Sequence, residues 1–128
     1  MYGTVAREGV GRPFLFLLSD RGATLTPEDS EIFAIIRSVA RRDSEDALMV
    51  TLIGADHFSF SDVPLIQSRI LRSMLVALGG PGGGLDPRIG LASTVRYVRE
   101  FFDVQLRGAP REGLYDRPLV PGARLEPR

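Results

Sequence analysis

Short, wholly apolar runs alternate along this chain with longer stretches in which apolar residues recur every three or four positions. Pro13 leads into Phe14-Leu15-Phe16-Leu17-Leu18, and Ser19-Asp20-Arg21-Gly22 follows as a polar loop. A run of that length, apolar on both alternating faces, reads as a buried parallel strand. Thr26-Pro27-Glu28-Asp29 then opens a helix. Thr26 suits the cap, Pro27 the first helical position, and the two acids the positive end of the dipole. Ile32, Phe33, Ile35, Ile36, Val39 and Ala40 form its predicted inner face, Arg41 and Arg42 close it, and Asp43-Ser44-Glu45-Asp46 is a solvated turn. Ala47-Leu48-Met49-Val50-Thr51-Leu52-Ile53 is the second strand, and Gly54 ends it.

Past the second strand the periodicity turns helical. Ser61 or Asp62 can cap a helix with Pro64 in its first turn and with Leu65, Ile66, Ile70, Met74, Leu75 and Leu78 inward. Gly79-Gly80-Pro81-Gly82-Gly83-Gly84 breaks it. Asp86 caps a third helix that begins at Pro87, carries Leu91, Val95, Val98, Phe102 and Leu106 at helical spacing, and stops at Gly108. Residues 109–128, rich in Pro, Gly and Arg, read as an extended tail beyond a folded part spanning 1–108. The expected class is α/β: two parallel strands joined by a right-handed crossover helix, then two further helices. Two strands are too few for a stable doubly covered sheet. At least one should pair with another neighbour, either upstream polypeptide or a partner chain.

Composition narrows the chemistry. The 128 residues suffice for one core, and 44% apolar with 25% charged is ordinary for a globular domain. Sixteen basic and sixteen acidic residues cancel, so no net charge drives the chain toward nucleic acid or an anionic membrane. Every basic residue is arginine, for which a GC-rich coding sequence is the plain explanation. With no cysteine there is no disulfide framework, thiolate metal site or thiol nucleophile, and one histidine makes no His-rich metal centre. No apolar run approaches the length of a membrane span. The glycine cluster at 79–84 follows a helix and is joined to no lysine, so it reads as a linker and not as a phosphate-binding loop.

The candidate catalytic residue is the single histidine, His57. Ligand and catalytic groups in open α/β sheets lie beyond the C-terminal ends of the strands, and Gly54 places His57 there. An imidazole titrates near neutral pH, as a general base must. The plain alternative is a structural histidine with backbone partners. Asp20, just past the first strand, would emerge on the same edge as an orienting acid, or it caps a turn with Gly22. Asp56 is a sequence neighbour of His57 and so points elsewhere. Phe58 and Phe60 either line a pocket or pack beneath the loop. No G-x-S-x-G elbow occurs in the chain.

The segment Gly54-Ala55-Asp56-His57-Phe58-Ser59-Phe60-Ser61-Asp62-Val63-Pro64-Leu65 resembles the histidine segment of bacterial α/β hydrolases related to platelet-activating factor acetylhydrolase and to dienelactone-hydrolase-like esterases. Arg12-Pro13-Phe14-Leu15-Phe16-Leu17 is similar to the strand before it, and Tyr97–Gly108 to the closing helix. The resemblance implies the C-terminal portion of an α/β-hydrolase fold and a serine carboxylic-ester hydrolase with His57 as the triad base. It also implies an acid and a nucleophile upstream of Met1, in which case Asp20 is not the triad acid. It implies a small ester or lipid-like substrate in the complete enzyme, and no metal or organic cofactor. Without the serine the isolated chain is expected to be inactive. The competing expectation is a non-catalytic α/β module that completes its sheet on a partner through an unpaired strand edge.

Overall fold

The computed structural model describes residues 3–20, 26–42, 47–60, 70, 73, 74, 77 and 84–127. Within them lie α1 (Gly3–Glu8), β1 (Phe14–Ser19), α2 (Pro27–Arg42), β2 (Ala47–Leu52), a 3₁₀ turn (His57–Phe60), α3 (Pro87–Arg107), α4 (Glu112–Tyr115) and β3 (Ala123–Leu125). β1 and β2 run parallel, Phe14 opposite Ala47 through Ser19 opposite Leu52, as two apolar runs separated by a helix require. The turn 43–46 and most of the helix expected after Ser61 lie outside the described residues.

The period of two in the strands sorts side chains between two layers. Leu15 and Leu17 join Leu48, Val50 and Leu52 on one face, beneath Tyr97, Phe101 and Val104 of α3. Phe14, Phe16 and Leu18 join Ala47 and Met49 on the other, against Ile36 and Ala40 of α2. All six β2 residues are buried, and all six of β1 are half-buried. Asp86 caps α3 as expected, its Oδ1 accepting from the N–H of Arg88 at 2.8 Å and of Ile89 at 3.4 Å. Gly108 ends the helix at φ 70°, the left-handed conformation that a glycine adopts without strain.

The structure departs from the expected order in four places. The first concerns residues 109–127, which are folded and not an extended tail. Leu114 and Tyr115 of α4 are buried in the main core, and β3 pairs antiparallel with β2, Leu125 opposite Val50 and Ala123 opposite Leu52. Among the described residues the sheet therefore has three strands in the order β1-β2-β3 and is mixed. A four-residue helix and a three-residue strand are too short to carry a readable period, and the Pro and Gly between them gave the composition of a tail. The second is α1, for which no element was expected, its six residues again being too few to show a period.

The third correction is the buried face of α3. Gly90, Ser93, Tyr97, Phe101 and Val104 face the sheet, while Val95, Val98, Phe102 and Leu106 are exposed. The fourth concerns Ile70 and Met74, expected inward, which are 77% and 58% exposed.

The β2–β3 pairing carries a polar clasp. The Thr51 hydroxyl donates to Glu126 Oε1 at 2.7 Å, and Arg124 donates to the same oxygen through Nε at 3.1 Å and Nη2 at 3.0 Å. Burial pushes the Glu126 carboxyl up. The bonds from Thr51 and Arg124 and the charges of Arg124 and Arg37 outweigh it, so the pKa falls below its ordinary 4.5. A carboxyl depressed by folding contributes stability that is present above its unfolded pKa and lost as pH falls through the folded one. Urea midpoints should therefore decline as pH drops below about 4.5, and Glu126→Gln should flatten that decline. Parallel acid profiles for the two proteins would show that the clasp contributes nothing.

Candidate functional site

The site is the edge of the sheet where β1 and β2 both end. The parallel register puts Ser19 opposite Leu52, so Asp20 and the loop after β2 leave the sheet side by side. The loop turns at Gly54, whose φ of 77° lies where an L side chain is strained. It is pinned on several sides. Ile53 N–H donates to Gly122 O at 2.7 Å, and Leu85 N–H donates to Gly54 O at 3.0 Å. Asp20 N–H donates to Ala55 O at 3.1 Å, while Asp20 Oδ2 accepts from Gly54 N–H at 3.3 Å. Asp20 thus grips the loop by backbone and by carboxylate.

The 3₁₀ turn begins at His57, and its first residues are fixed by a reciprocal cap. Asp56 Oδ1 accepts from Ser59 N–H at 2.9 Å and from Ser59 Oγ at 2.8 Å, while Asp56 N–H donates to Ser59 Oγ at 3.0 Å. This is the capping-box logic, two orphan donors satisfied by two side chains. Asp56 Oδ1 thus accepts twice from Ser59. Ala55 and Ser59 are buried, and Phe60 packs against the main core. A Cβ on Gly90 of α3 would sit 3.2 Å from Ser59 O, a tight contact that would require this turn to give by a few tenths of an ångström.

The structure brings Asp20 and the backbone of His57 to one edge of the sheet. The side chains of His57 and Phe58 lie outside what is described, as does the glycine run 79–83. Asp20 holds the strand-to-turn loop that carries His57 through its N–H and its carboxylate.

A second feature had no counterpart in the sequence. A cleft of about 320 Å³ lies between α3 and residues 110–119, with Arg96 and Arg117 on its walls, Glu100 beside them, and Leu114 and Leu119 among its apolar lining. Its wall from Pro110 to Leu119 belongs to the segment expected to be an extended tail. Tyr97 runs beneath this region, buried, its hydroxyl accepting from Leu119 N–H at 2.9 Å. Burial pushes the Tyr97 phenol up, against smaller opposing effects of the Leu119 bond and the Arg96 charge.

Among the described residues there is no group of three or more His, Asp or Glu able to hold a metal ion, and no helix is long and apolar enough to cross a membrane. Comparison with protein-family models, with characterised proteins and with solved structures found no match.

Proposed function

We propose that this chain supplies the histidine arm of a serine carboxylic-ester hydrolase, with His57 as the general base. The observation that carries the reading is the loop after β2. It leaves the C-terminal end of a parallel pair, where α/β enzymes keep their reactive groups, and is held by four hydrogen bonds to Gly122, Leu85 and Asp20 before it delivers His57. A general base must be held within a fraction of an ångström of its working position. The bonds of Asp20, Asp56 and Ser59 hold the backbone that carries His57, which supports this reading.

In this mechanism a serine from polypeptide upstream attacks the ester carbonyl. His57 takes the serine proton and returns it to the leaving alcohol, an acid upstream holds the imidazole tautomer, and backbone N–H groups stabilise the oxyanion. The chain has no G-x-S-x-G elbow, so these 128 residues alone should hydrolyse phenyl acetate no faster than buffer does.

Translating the DNA upstream of Met1 in frame should reveal G-x-S-x-G, with Asp-Gly near the junction. In the polypeptide expressed from that start, His57→Ala should lower kcat for phenyl acetate by about 10⁴-fold or more. Asp20→Asn should lower it far less, since a positioned base survives a loosened loop in part. An upstream frame without the elbow, or full activity in the His57→Ala protein, would sink the reading.

A further inference from the structure

The cleft between α3 and residues 110–119 shares no residue with the bonds that hold the loop carrying His57. Its walls carry two guanidiniums, Arg96 from α3 and Arg117 from the chain just after α4, and one carboxylate, Glu100. Among the described residues Asp103 pairs with Arg99 and Arg107, and Glu126 with Arg124. Arg96 and Arg117 pair with none of the described carboxylates. Arg96 and Glu100 stand four residues apart on one helix, the spacing at which such pairs form, yet they stay apart. Two cations against one anion leave the cleft with a surplus of one positive charge.

Bonds that use none of these charges hold the walls in place. Leu119 N–H donates to the Tyr97 hydroxyl at 2.9 Å, and Tyr97 is fully buried. Gln105 Nε2 donates to the Tyr115 hydroxyl at 2.9 Å, and the Arg111 guanidinium lies 4.7 Å from the centre of the Tyr115 ring. Leu114 is anchored in the main core. Walls fixed in this way spare a ligand the cost of ordering them.

Size and lining narrow the ligand. About 320 Å³ is at the lower end of small-molecule sites, which combine apolar surface with a few convergent polar groups. The planar fork of a guanidinium matches a carboxylate. One negative charge neutralises the surplus, whereas a second would face Glu100. Leu114 and Leu119 offer apolar surface to the rest of the molecule.

We propose that this cleft binds a small organic monocarboxylate, its charged end held by Arg96 and Arg117 and its apolar body resting on Leu114 and Leu119. The proposal rests on the cleft alone and holds whether or not His57 is a catalytic base.

Titration of the 128-residue chain with sodium benzoate, followed by amide proton–nitrogen correlation spectra, tests it. Saturable shifts should centre on Gly113, Leu114 and Leu119, with a Kd of about 10 mM or tighter, the range that ligand efficiency sets for an acid of this size. Arg96→Gln and Arg117→Gln should each raise that Kd about threefold to tenfold. Arg99→Gln removes the same charge from α3 outside the cleft and should change it less than about twofold. All three arginines are exposed, so urea midpoints should hold and the losses report binding. Benzamide, with the same ring and no charge, should bind at least about threefold more weakly. No saturable shifts at these residues, equal losses in all three variants, or equal binding of benzamide would overturn the site. Tighter binding of phenyl phosphate than of benzoate would assign the cleft to phosphate esters and overturn the carboxylate.

Discussion

Deletion of residues 109–127 should abolish the cooperative unfolding of this protein, although their composition is that of a tail. The segment places Leu114, only 2% exposed, and Tyr115 in the same core as Val50, Leu52 and Phe101. It supplies β3, without which β2 loses its antiparallel partner and the bonds from Ile53 N–H to Gly122 O and from Glu126 N–H to Met49 O. It also satisfies two polar groups on α3: Leu119 N–H donates to Tyr97 Oη, and Gln105 Nε2 donates to Tyr115 Oη at 2.9 Å. Emptying one buried leucine site costs about 2–5 kcal/mol, against a total stability of about 5–15 kcal/mol for a typical domain. Losing Leu114, Tyr115 and a strand together exceeds that margin. Urea unfolding followed by far-ultraviolet circular dichroism should change from a sigmoid to a shallow slope. A sigmoid with an unshifted midpoint would mean that the segment is an appendage after all.

What was legible in this sequence depended on length and period. β1, α2, β2 and α3 were readable because each repeats its pattern over enough residues, and the ends of α3 were readable because Asp86, Pro87 and Gly108 have single physical roles there. α1, α4 and β3 hold six, four and three residues, too few for a period of 3.6 or 2 to show. The position of His57 on the sheet edge followed from Gly54 and the strand before it. The grip of Asp20 on Gly54 N–H did not, because a carboxylate beside a glycine reads equally well as turn, cap or acid until the neighbouring strand is placed. The cap between Asp56 and Ser59 was in principle visible, since Asp and Ser three apart form the same reciprocal pair as a capping box.

The sharpest test of the packing is the pair of adjacent phenylalanines on α3. Phe101→Ala should cost about 3–5 kcal/mol and Phe102→Ala no more than about 0.5 kcal/mol, as read from urea unfolding. Helical spacing alone favours the opposite result, because Leu91, Val95, Val98, Phe102 and Leu106 make the more hydrophobic stripe. The structure buries the other one. Phe101 is 6% exposed and Phe102 52%, and their rings meet edge to face at 5.8 Å, one inside the core and one on its outer side. The reason lies about two and three turns earlier. Gly90 and Ser93 are the small residues that let α3 come close to the 3₁₀ turn, where a Cβ on Gly90 would already press on Ser59 O. A bulky Leu91 or Val95 in their place would hold the helix off the sheet. Close approach thus selects the face with the small residues and, with it, Tyr97, Phe101 and Val104. Stripe hydrophobicity measures how much a face could bury, whereas the small residues decide which face can reach. Equal costs for the two substitutions would mean that α3 is rotated so that both rings share the core, and the contact between Gly90 and Ser59 could not then hold.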